Sequence, residues 1–95
     1  MPALTPDQVA RRMPMVPGWH LEGDALRRTF AFADFRAAIA FVNAVAERAE
    51  VADHHPDIDI RYDHVTLTLT THDEGGLTAQ DFDMAGQLAR LESTH

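Results

Sequence analysis

The chain has 95 residues, 45% of them hydrophobic and none of them cysteine, with fifteen acidic against eight basic side chains and a net charge of −7. This length predicts one domain over 1–95, and the missing thiols exclude a disulfide scaffold and any thiolate zinc site. All eight bases are arginines, scattered except for Arg11-Arg12 and Arg27-Arg28, so no basic face is available for phosphates and neither direct nucleic-acid binding nor membrane docking is expected. The longest apolar run, residues 37–46, is broken by Asn43 and is too short to cross a bilayer. The start has neither a charged n-region nor an apolar h-region, so the expected location is cytoplasmic.

In chain order, Thr5-Pro6-Asp7 has the form of an N-cap with proline in the first helical position, opening a short helix to about Met13. Pro14, Pro17 and Gly18 end it. Residues 19–22 and 25–32 read as two strands joined by a tight turn at Gly23-Asp24. Asp34 caps a longer helix whose apolar stripe is Phe35, Ala38, Ile39, Val42, Val45, Ala46 and Ala49, with Phe41 off that stripe. Pro56 disfavours helix at His55, so the helix ends shortly before it. Ile58, Ile60 and Tyr62 alternate with Asp57, Asp59 and Arg61, a turn falls near Asp63, and Val65, Leu67 and Leu69 alternate with threonines in the returning strand. Gly75-Gly76 punctuates, and Thr78-x-x-Asp81 has the pattern of a capping box for a last helix carrying Phe82, Ala85, Leu88, Ala89 and Leu91. The expected fold is α+β, in the order α-β-β-α-β-β-α, with helices covering one face of an antiparallel sheet.

Of the six histidines, His20, His64 and His95 fall on a strand, at a turn and at the terminus, and none is expected to act. His54 and His55 fall in a connection, and His72 at the far end of the last strand. With the hairpin turn centred on Asp63, facing residues have numbers summing to about 126, so His72 faces position 54, or 53 or 55 after a one-place slip. His72 shares parity with Thr66, Thr68 and Thr70 rather than with the buried leucines, and neither His54 nor His72 is expected in the core. Glu50, Asp53, Asp73, Glu74 and Asp81 are the carboxylates within reach of this edge. Three readings stay open: loop histidines without function, a three-histidine metal site, and metal-free acid–base catalysis on a small molecule. The metal reading suffers because adjacent residues in an extended segment point to opposite sides.

Glu50-x-x-x-His54-His55-Pro56, then five residues to Tyr62, nine to His72 and eight to Asp81, resembles the signature of the pterin-4a-carbinolamine dehydratases. Leu77-Thr78 before Asp81, Asp34-Phe35 and Gly18-Trp19 agree with it, and the resemblance runs from residue 4 to about 91. It implies a four-stranded antiparallel sheet with three helices. It also implies dehydration of 4a-hydroxytetrahydropterin to quinonoid dihydropterin, in regeneration of tetrahydrobiopterin after aromatic amino acid hydroxylation, with a hydroxylase as pathway partner. The implied substrate-binding residues are His54, His55, Pro56, Thr71, His72, Asp73 and Glu74. The candidate catalytic residues for that reaction are His54, His55 and His72: losing hydroxide from C4a needs a general acid, for which His54 and His72 are the candidates, with His55 binding and orienting the pterin. Glu50 and Asp81 match acidic positions of the signature and are expected to support the histidines. No cofactor and no metal are implied, and a homodimer or homotetramer is. Ile58 stands where animal members have tryptophan, offering the pterin apolar contact but no aromatic face. Some relatives are co-activators or assembly factors, so a non-catalytic oligomeric binding module on the same fold is the alternative.

Overall fold

The computed structural model describes residues 2–92. Helix α1 (Pro6–Arg12) starts at a complete capping box: Gln8 N–H donates to the Thr5 hydroxyl, and the Gln8 side chain returns to accept from Thr5 N–H. A 3-10 turn (Met13–Met15) extends it. Strands β1 (His20–Glu22) and β2 (Ala25–Ala31) form the first hairpin, and α2 (Phe35–Ala52) follows, capped by Asp34, whose Oδ1 accepts from Ala37 N–H at 2.8 Å. Strands β3 (Asp57–Arg61) and β4 (His64–Leu69), a second 3-10 turn (His72–Glu74) and α3 (Ala79–Glu92) complete the order. The expected α-β-β-α-β-β-α arrangement is therefore the observed one.

The sheet is antiparallel throughout, in the order β1-β2-β4-β3, so β2 and β4 are central and β1 and β3 are edges. Leu26, Phe30, Val65, Leu67 and Leu69 share the face beneath the helices and are buried. The opposite face is polar; there the hydroxyls of Thr29 and Thr66 meet at 2.8 Å. Among the described residues no helix is long and apolar enough to cross a membrane.

Two sequence expectations need correction. Phe41 is at the centre of the core, fully buried between Phe30 and Phe32 with ring centroids 4.8 and 4.9 Å away. The buried line of α2 is Ala38, Phe41, Val45 and Ala49, and Phe35 is left half exposed. Both candidate stripes contain 38, 45 and 49; the aromatic side chains of β2 decide between them by offering Phe41 the larger contact. The second correction concerns register. Ile58 pairs with Leu67 and Ile60 with Val65, so facing numbers sum to 125 rather than 126, and Arg61 faces His64 instead of Val65. The reversal is a two-residue turn, Tyr62-Asp63, with Tyr62 in the left-handed region at φ 54°. A tyrosine is rarely found there, which is why the sequence pointed to a turn centred on Asp63.

Candidate active site

The site is built by the way α2 ends. Asp53 adopts a left-handed conformation (φ 50°, ψ 44°), His54 N–H donates to Ala49 C=O at 3.1 Å, and Asp53 N–H to Glu50 C=O at 3.3 Å. This pair of bonds is a Schellman termination, usually made with glycine and tolerated by aspartate. It turns the chain back on the helix, so that His54 is carried inward and His55 stays outside.

His54 is 8% exposed, against the expectation that it lies outside the core. Its Nε2 lies 2.5 Å from Oδ1 of Asp81, which is fully buried. The other oxygen, Oδ2, accepts from Thr78 N–H at 2.9 Å and from the Thr71 hydroxyl at 2.8 Å. An ionised Asp81 accepts on Oδ1 from Nε2–H of His54, which leaves Nδ1 as the other ring nitrogen. The Thr78-x-x-Asp81 motif thus makes one arm of its capping box, Asp81 on the N-terminal amide, while the second carboxylate oxygen reaches across to the histidine. The Thr78 hydroxyl turns to Thr71 at 3.0 Å.

His55 Nε2 meets Glu50 Oε2, both side chains being more than half exposed. Glu50 belongs to the last turn of α2 and reaches His55 because the chain has just reversed. An exposed pair of this kind adds little stability, about 0–1 kcal/mol, but fixes the orientation of the imidazole.

His72 is not on β4, which stops at Leu69; it opens the 3-10 turn His72–Glu74. That turn sits in a small closed loop. Thr71 and Gly76 exchange backbone bonds at 3.2 and 3.4 Å, and Gly75, at φ 74°, donates to His72 C=O at 3.1 Å. Glycine is needed at 75, where the chain must turn left-handed to close the loop. The imidazole is exposed and has no protein hydrogen-bond partner among the described residues.

His54, His55 and His72 line one open cleft of about 250 Å³ together with Asp53, Thr70, Thr71 and Asp73. Convergence of the three is therefore observed, although hairpin pairing as read from the sequence is not its cause: the Schellman turn brings two and the 71–76 loop brings the third. Among the residues named from the sequence, Pro56 and Glu74 are outside the cleft lining, and Glu50 and Asp81 stand behind it as partners of His55 and His54. Thr70 and Thr78 were missed as site residues, Thr78 because its motif was read only as a helix start. His64 pairs with Asp63 at the hairpin turn, His20 lies exposed on β1, and His95 falls outside the described residues. Among the described residues, no three His, Cys, Asp or Glu side chains are grouped to hold a metal ion.

Ile58 is also absent from the cleft lining. It pairs with Leu67 and so points to the helix side of edge strand β3, where it is 39% exposed. Ile58→Trp is accordingly expected to leave the Michaelis constant for a pterin within about two-fold, since an extra ring on the helix side of β3 changes packing there rather than the cleft. A several-fold drop in that constant, measured by steady-state kinetics, would place the side chain against the ligand.

Residues 2–91 match the family described as pterin 4 alpha carbinolamine dehydratase. A protein of Acidobacterium capsulatum bearing the name "Putative pterin-4-alpha-carbinolamine dehydratase" is 53% identical over 91 residues, covering 96% of this chain and 99% of its own. A crystal structure from Brucella melitensis, described as a transcriptional coactivator/pterin dehydratase, superposes with a TM-score of 0.89 at 35% identity, covering 95% of this chain and 98% of that one. A pterin dehydratase-like RuBisCO assembly factor of the alpha-carboxysome shares the fold at a TM-score of 0.65 and 24% identity, over 78% of this chain and 86% of that one.

Proposed function

The chain belongs to the pterin 4 alpha carbinolamine dehydratase family, and from that premise we propose that it converts 4a-hydroxytetrahydropterin, in the form of tetrahydrobiopterin's carbinolamine, to quinonoid dihydropterin and water by histidine acid–base chemistry. The C4a–O bond breaks and the hydroxide leaves with a proton from an imidazolium. The proton on N5 passes to solvent water, and the electron pair of the N5–H bond forms the new N5=C4a bond. His54 and His72 are the proton donors, one for each face of the carbinolamine, and His55, held by Glu50, orients the ring together with Asp73. Asp81 accepts from Nε2–H of His54, so the proton that His54 gives up is the one its imidazolium carries on Nδ1. The observation that carries this reading is the meeting of His54, His55 and His72 in one cleft, with His54 locked onto a buried carboxylate.

The test is stereochemical. On resolved 4a-hydroxy stereoisomers, His54→Ala is expected to impair one and His72→Ala the other, by roughly 10²-fold or more each. Equal losses on both stereoisomers would contradict the assignment of one donor per face. His55→Ala is expected to raise the Michaelis constant at least as much as it lowers turnover.

The reaction belongs in the cytoplasm, beside the aromatic amino acid hydroxylases that generate the carbinolamine. The working form is a homodimer or homotetramer. Half-exposed Phe35 on α2 and partly exposed Ile58 and Ile60 on edge strand β3 leave apolar surface on both elements that a second copy can cover. Light scattering at micromolar concentration is expected to give a multiple of 10.6 kDa, and the monomer mass would contradict it.

A further inference from the structure

We propose that Thr71 is a positioning residue acting on His54 through Asp81, and not a ligand of the substrate. Every donor it owns is already engaged. Its hydroxyl proton goes to Asp81 Oδ2 at 2.8 Å, and its amide N–H goes to Gly76 C=O at 3.2 Å. Its carbonyl accepts from both Glu74 N–H at 3.1 Å and Gly76 N–H at 3.4 Å. Because the hydroxyl proton is spent on Asp81, the 3.0 Å contact with Thr78 has Thr78 donating. The chain of donors therefore runs from the Thr78 hydroxyl to Thr71, from Thr71 to Asp81, and ends on a carboxylate whose other oxygen holds Nε2 of His54 at 2.5 Å.

The geometry explains why one hydroxyl matters. Thr78 N–H and the Thr71 hydroxyl grip Oδ2 from two separate elements, the start of α3 and the loop that carries His72. Two donors from different directions prevent the carboxylate from rotating, so Oδ1 stays aimed at the imidazole. With Thr78 N–H alone the carboxylate has a pivot but no stop, and His54 loses both its ring orientation and its tautomer. Thr71 also ties the two histidines together: its backbone closes the loop under His72 while its side chain steadies the partner of His54.

The kinetic part of this inference rests on the proposed dehydration; the spectroscopic part does not. Thr71→Val keeps the shape and removes the hydroxyl, and Thr71→Ser restores it. In the full chain, Thr71→Val is expected to lower kcat about ten-fold or more, the worth of a hydrogen bond to a charged acceptor, with KM within about two-fold. Histidine ring 1H–15N spectra of the wild type are expected to show a slowly exchanging Nε2–H proton on His54. That proton should shift and exchange faster in Thr71→Val, and the serine variant should recover both kcat and the spectrum. A Thr71→Val protein whose KM rises while kcat holds, or whose His54 resonances match the wild type, would overturn the inference. Should the wild type show no dehydration, the proposed function fails, and the His54 resonances alone still decide the role of Thr71.

Discussion

Alanine at both His54 and His72 is expected to abolish catalysed dehydration of the carbinolamine. General acid–base groups contribute about 10²–10⁴-fold each, so donors serving separate faces leave the double variant without a route on either stereoisomer. The two single variants should differ sharply in stability. His72 is exposed and has no protein hydrogen-bond partner among the described residues, so His72→Ala should melt like the wild type. His54 is buried on Asp81, and its removal strands Oδ1 of that carboxylate; a cost of about 1.5–3 kcal/mol, or roughly ten degrees in Tm, is expected. Thermal melts of the two proteins check this directly. Near-normal turnover in the double variant would remove the catalytic assignment.

Asp81→Ala should be the most damaging single change in the site. It leaves three donors without an acceptor: Nε2–H of His54, the Thr71 hydroxyl and Thr78 N–H. Loss of a buried charged partner costs about 3–5 kcal/mol, a large share of the total stability of a small domain. Asp81→Asn keeps one acceptor oxygen and separates the roles, because its amide donor then faces groups that also donate. Chemical denaturation should show this variant intermediate in stability, while its turnover falls as far as that of His54→Ala. In the Asp81→Asn/His54→Ala double variant, turnover should be scarcely lower than in either single one, as for groups acting as a unit. Multiplying losses would mean that Asp81 acts otherwise than through His54.

The element order is legible in the sequence because it rests on strong local signals: proline and glycine punctuation, a period of 3.6 in α2, and alternation in β4. The grouping of His54, His55 and His72 follows from the sequence only through a hairpin register that the structure does not keep. What was not legible arises where a residue adopts a conformation its type seldom takes. Tyr62 at positive φ shortens the hairpin turn by one residue and shifts the whole register. Asp53 at positive φ ends α2 in a Schellman turn, and that turn alone decides that His54 goes inward and His55 outward. Phe41 was misplaced for another reason, since two helical stripes overlap and only the facing aromatics of β2 distinguish them. Asp81 was recognised as a cap residue and as a support for the histidines, but its motif could not reveal that one carboxylate serves both purposes at once.

Dehydration of a pterin carbinolamine by this cleft is directly measurable. The most direct measurement follows freshly generated 4a-hydroxytetrahydropterin by absorbance, with and without the purified wild-type protein. The expected rate rises in proportion to protein concentration, yields quinonoid dihydropterin, and disappears in the His54→Ala/His72→Ala variant. A rate equal to that of buffer alone, from a folded wild-type protein, would contradict it and favour the non-catalytic binding module.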